Sequence, residues 1–85
     1  MNIADWALDM KHCADLVCVK PFSFRVEGQR GPRINVKAGD IFWNTTPSHT
    51  VARTSAAKLA RKGKNMACAY PFSLEVISEY FEIKA

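Results

Sequence analysis

VARTSAAKLARKGK, residues Val51 to Lys64, is the stretch whose conformation decides whether this chain is substantially helical or mainly β. Read as a helix, it gathers Ala52, Ala56, Leu59 and Ala60 on one face and Lys58, Arg61 and Lys62 on another, with Gly63 just past the last turn, where helices often stop. Read as a strand, AKLARKG runs into the turn KGKN and pairs with MACAY, in which Met66, Cys68 and Tyr70 alternate with Ala67 and Ala69. Periodicity alone favours the helix by a narrow margin, so the neighbouring segments have to arbitrate.

Immediately upstream, INVKAGDIFWNTT (residues 34–46) alternates through Ile34 and Val36, turns at KAGD, and resumes as a strand at Ile41, Phe42 and Trp43. Gly39 supplies the positive φ that a tight turn requires, and the Asp40 carboxylate can accept from backbone close by. Pro47 and Ser48 end that strand. Further back, LVCVKPFSFRV (16–26) is rich in β-branched and aromatic residues and predicts a strand, with Pro21 marking an edge, a bulge or a bend because it cannot donate to a ladder. EGQRGPR (27–33) reads as an open loop. Ile3, Trp6, Ala7 and Met10 follow the spacing of one helical face, which predicts a short helix within residues 1–14. Downstream, Ser73 is placed to cap a short helix carrying Leu74, Ile77 and Phe81 on one face, with Glu75 complementing its dipole, and FEIKA alternates as a closing strand.

The order of these pieces resembles that of SH3-like small barrels. An edge strand leads into a long polar loop; INVKAGDIF looks like the diverging turn before a central strand, and YPFSLEVISEYFEI looks like the helical turn that introduces the last strand. The resemblance covers residues 16–85 and leaves the N-terminal helix as an addition. It implies one domain over 1–85, mainly β with an α+β character, and it tips residues 57–63 towards strand. The run GDIFWNTTPS, followed by LARKGK and YPFSLEVISEYFE, is also similar to small accessory proteins from the early regions of temperate phages, which as a class bind host factors or nucleic acid. The acidic loop and paired aromatic motif of peptide-binding SH3 domains are missing, which speaks against polyproline recognition.

With 48% apolar and 24% charged residues in 85, the composition is that of a folded domain. Three cysteines, Cys13, Cys18 and Cys68, and an N-terminus without the basic start and apolar run of a secretory signal point to a reducing cytoplasm, that of a bacterial host if the chain is phage-encoded. No apolar run approaches the roughly 18 to 20 residues needed to cross a bilayer. His12, Cys13 and Cys18 are near one another in sequence and Cys68 can return to them, but without a CxxC pair these read as ordinary thiols and no metal or other cofactor is expected. His12 and His49 are far apart, the carboxylates lie mainly at the two ends, and the phosphate-loop pattern is absent, so the chain does not read as an enzyme.

Charge carries the functional reading. Residues 16–72 hold ten Lys or Arg against Glu27 and Asp40, a net of +8, whereas the first fifteen and the last thirteen residues each carry −2. Such segregation sets up a field that a polyanion feels before contact. One basic group is Lys58, Arg61, Lys62 and Lys64, with Arg53 upstream; a second is Arg25, Arg30, Arg33 and Lys37, around the polar loop. Trp43 and Tyr70, each near polar or turn residues, are the rings best placed to stack on a base. Arg30, Arg33, Trp43, Arg53, Lys58, Arg61, Lys62, Lys64 and Tyr70 are therefore the candidate contact residues of a non-enzymatic module that docks onto nucleic acid or another polyanionic surface. The alternative is a phage-encoded inhibitor or adaptor for a host nucleic-acid-processing protein. Neither reading fixes the oligomeric state, and a homodimer through the Pro21 edge strand or the N-terminal helix is a third reading.

Overall fold

The computed structural model describes residues 15–25 and 33–84. The expected N-terminal helix, Arg30 and most of the 27–33 loop lie outside the described residues. Within them the chain is mainly β. Seven strands, β1 (Leu16–Cys18), β2 (Phe22–Phe24), β3 (Ile34–Val36), β4 (Ile41–Asn44), β5 (Ala56–Arg61), β6 (Tyr70–Ser73) and β7 (Phe81–Ile83), are joined by two short helices, α1 (Ser48–Thr54) and α2 (Leu74–Tyr80). Five strands form an antiparallel sheet in the order β6-β5-β4-β1-β7, curled into a half-barrel, and β2 pairs with β3 in a separate hairpin. Because α2 leads from β6 to β7, it joins the two edge strands of the sheet.

The run 16–26 is two strands in different sheets, not one. Pro21 has no N–H to give a ladder, and the chain bends at Lys20 before re-entering the hairpin. The KAGD turn forms as its composition dictates. Gly39 takes φ 94°, Asp40 N donates to the Lys37 carbonyl at 3.0 Å, and Lys37 N donates to Asp40 Oδ2 at 2.9 Å. Gly39 N reaches the Cys18 carbonyl at 2.7 Å and Cys18 N reaches the Asp40 carbonyl at 2.8 Å, so the turn is bound to β1.

The 51–64 segment divides between its two readings. Its front belongs to α1, which buries Val51; at Ser55 the backbone passes through the left-handed region (φ 54°) and the rest runs on as β5. A continuous helix would have carried Ala57 and Leu59 away from the β4 and β6 backbones, and both side chains are instead fully buried in the sheet. The expected MACAY strand is displaced. Met66–Cys68 is a 3-10 turn capped by the Asn65 side chain, which accepts from Ala67 N at 2.9 Å, and the strand that pairs with β5 begins only at Tyr70. Ser73 caps α2 by accepting from Val76 N at 3.2 Å, Glu75 lies in the first turn, and Ile77 is buried.

Strand alternation separates two faces. The inner face carries Leu16, Cys18, Phe42, Ala57, Leu59, Phe72 and Phe81, all buried. The hairpin lays Phe22 and Phe24 against it, with ring centroids 4.3 Å from Tyr80 and 4.9 Å from Phe72, respectively. Edge-on and offset rings at such spacings contribute beyond simple area burial. Val17, Ile41, Trp43, Lys58, Pro71 and Glu82 belong to the opposite, outer face.

Candidate functional site

Register assembles the outer face around one ring. Trp43 sits directly opposite Ala60 on β5, and Lys58 lies two positions from Ala60, on the same side of the sheet. Beyond the end of β5, Lys62 continues that alternation, its N–H held by the Ile41 carbonyl at 2.8 Å. The RKGK turn then folds back, with Gly63 at φ 90°, and the Trp43 indole Nε1–H donates to the Lys64 carbonyl at 3.0 Å. That bond fixes the ring beside the turn. Ala60, the small residue across from it, is fully buried although it belongs to the outer side.

The lysine heads on this face are exposed. Lys58 is held by its backbone: Thr46 Oγ1 accepts from its N–H at 2.8 Å, and its carbonyl accepts from the Thr45 backbone N–H and hydroxyl, both at 2.9 Å. Its ammonium makes no ion pair among the described residues. Lys62 Nζ meets Asp15 Oδ2 at 2.8 Å, but with its side chain 64% exposed the pair is worth only about 0–1 kcal/mol and an incoming phosphate can compete for it. Glu82, across from Val17, adds a carboxylate on the β7 side of the same face.

The remaining candidates are placed elsewhere. Arg61 lies opposite Phe42, on the inner side, its guanidinium 5.1 Å from that ring. It donates to Asp40 Oδ2 and to the Asn35 carbonyl, both at 2.8 Å, and so ties β5 to the KAGD turn and to β3. The Asp40 carboxyl is held below the usual carboxylate range, first by the Lys37 N–H and then by Arg61. Arg33 donates to the Ser23 hydroxyl at 2.9 Å and the Ser23 carbonyl at 2.8 Å, cross-linking the hairpin. Tyr70 faces inward opposite Leu59 and packs edge-on against Phe24. Arg53 is exposed in the last turn of α1, where a cation suits the dipole. The structure thus groups Trp43, Lys58, Lys62 and Lys64, and separates Arg33, Arg53, Arg61 and Tyr70 from them.

A groove beside this face has no counterpart in the sequence reading. It encloses about 470 Å³ between α1, β5 and the 3-10 turn, and its walls include Thr46, Thr50, Thr54, Lys58, Met66 and Pro71. A hint was available in TTPSHTVART, where four threonines fall in the ten residues 45–54. Between β4 and α1, buried Asn44 accepts from Thr46 N through Oδ1 at 2.9 Å.

Among the described residues no three His, Cys, Asp or Glu side chains lie close enough to hold a metal ion, and no helix is long and apolar enough to cross a membrane. Cys18 is buried, its thiol pushed up by desolvation and donating to the Lys20 carbonyl at 3.2 Å, while Cys68 is exposed. In comparison with known proteins, the chain matches no family model, no curated protein and no solved structure.

Proposed function

We propose that this chain is a non-enzymatic binding module whose outer sheet face docks onto nucleic acid. The observation that carries the reading is the register Trp43↔Ala60, which groups a ring anchored through its indole N–H with Lys58, Lys62 and the Lys64 turn on a single surface. Exposed ammonium groups around a flat ring suit a strand of phosphates with accessible bases: counterion release supplies affinity, and stacking adds about 1–3 kcal/mol per base. Arg61, Arg33 and Tyr70 act in this reading as braces of the fold, since their polar or aromatic groups are already engaged.

An SH3-like small barrel is the finer description we give the fold. It is supported by the strand order β6-β5-β4-β1-β7, by the β2–β3 hairpin inserted between β1 and β4, and by the helix that precedes the closing strand. Phage origin and residence in the host cytoplasm rest on the sequence resemblance alone.

The test is a titration of a labelled oligonucleotide at several salt concentrations. Docking through lysines requires that affinity fall steeply as salt rises; an affinity indifferent to salt removes the mechanism. Capture from nuclease-treated bacterial lysate addresses the inhibitor or adaptor alternative. Loss of all bound material agrees with nucleic acid as the target, whereas a stoichiometric protein that survives the nuclease replaces this proposal with the alternative.

A further inference from the structure

The groove between α1, β5 and the 3-10 turn adjoins the docking face, because Lys58 and Pro71 belong to both. We infer that it receives one unstacked base of a single strand lying across that face, which makes single-stranded nucleic acid, not duplex, the ligand class. The inference rests on the docking reading above and specifies its substrate.

Five features of the groove carry it. The volume, about 470 Å³, is within the range of roughly 300–1,000 Å³ typical of small-molecule sites and leaves room for a base. The walls combine apolar surface from Met66 and Pro71 with hydroxyls from Thr46 and Thr50, the mixture a base needs for its faces and its edge. Thr46 is nine-tenths buried, and its Oγ1 accepts from Lys58 N, which leaves its O–H to donate to a ligand carbonyl or ring nitrogen. The only charge among the lining residues is Lys58, with no carboxylate, so the electrostatics favour an anionic chain at the mouth. Met66, 65% exposed, leaves its thioether surface open on the wall to contact a flat ring. A base paired in a duplex is stacked on its neighbours and must first be flipped out, at a cost of a few kcal/mol that a single strand is spared.

Three fluorescein-labelled probes test the inference: a short single-stranded oligodeoxynucleotide, the same sequence as a duplex, and an abasic phosphodiester of equal length. The single strand is expected to bind about tenfold more tightly than the abasic strand, and more tightly than the duplex. Thr50→Phe, which fills the groove, and Met66→Ala, which strips an exposed wall residue, are each expected to bring the ratio of single-strand to abasic affinity towards one, with melting curves confirming that both variants are folded. Equal affinity for the single strand and the abasic strand overturns the groove while leaving salt-dependent docking intact. So does a ratio unchanged in both variants, since the bases would then be held elsewhere, as does a duplex that binds better than the single strand. No binding of any probe removes the docking face and the groove together.

Discussion

The two faces of the five-stranded sheet treat positive charge in opposite ways. On the inner face Arg61 lies along Phe42 and gives its donors to Asp40 and Asn35, so its charge is absorbed into the fold. On the outer face Lys58 and Lys62 are held by their backbones, and their ammonium groups are exposed, that of Lys62 in a pair with Asp15 that solvent reaches. One residue of register separates Arg61 from Lys62, and that single step turns a cation from a brace inside the fold into an exposed head on the outer face. The +8 of the middle segment is thus an upper bound on the field available to a ligand. In the proposed docking, the share that meets a ligand is the one on the Trp43 side.

The largest effect that can break this division comes from the inner face. Phe42→Ala removes the ring at the centre of the aromatic cluster, which is fully buried and 5.4 Å from Phe81, and should cost about 3–5 kcal/mol in denaturant unfolding. A loss below about 1 kcal/mol, the level of surface substitutions, would contradict the assignment of this side as the core. Arg61→Met is next. Losing the two hydrogen bonds and the contact with Phe42 should lower stability by about 1–2 kcal/mol, while the salt dependence of oligonucleotide binding by the folded protein stays as it was. A changed salt slope would move Arg61 into the interface.

On the outer face the expectation reverses. Lys58→Gln with Lys62→Gln should change unfolding by no more than about 1 kcal/mol, the upper worth of the exposed Lys62–Asp15 pair, yet reduce the slope of log affinity against log salt by about 1.4, the value for two phosphate contacts on a single strand. The smallest effect concerns pH. The folded Asp40 has a lowered pKa, so its contribution to stability is complete above the unfolded value of about 3.9 and is lost as pH falls through the lower folded value. Asp40→Asn should therefore flatten the acid limb of the melting temperature below about pH 4, with little change in binding at neutral pH; an unaltered acid limb would mean that the carboxylate is not a brace.

What could be read from the sequence depended on how local its cause was. The KAGD turn and the Ser73 cap are each set by residues within three positions of one another, and both were legible. The end of α1 was not, because its signal is a serine at positive φ in place of the glycine that usually marks such a stop. MACAY alternates like a strand, but Asn65 captures the Ala67 N–H and winds the chain into a 3-10 turn first. The candidate cations illustrate the same limit at longer range. Arg61 and Asp40 are 21 residues apart, and nothing in a charge count distinguishes the arginine whose pair is half-buried against Phe42 from the lysine beside it whose pair with Asp15 lies exposed on the other face. Trp43 was legible as a candidate ring because of its turn-rich surroundings, whereas Tyr70 shared that context and faces inward, a difference set by pairing with Leu59.

The most direct test of the two-faced account is a map of backbone and indole N–H resonances as a single-stranded oligonucleotide is added at low salt. The account predicts that the Trp43 indole and the amides of Lys58, Lys62 and Lys64 shift together, while the amides of Phe22, Phe24 and Phe81, in strands remote from β5, stay in place. Shifts confined to the inner face or to the β2–β3 hairpin, with the Trp43 indole unmoved, would contradict it.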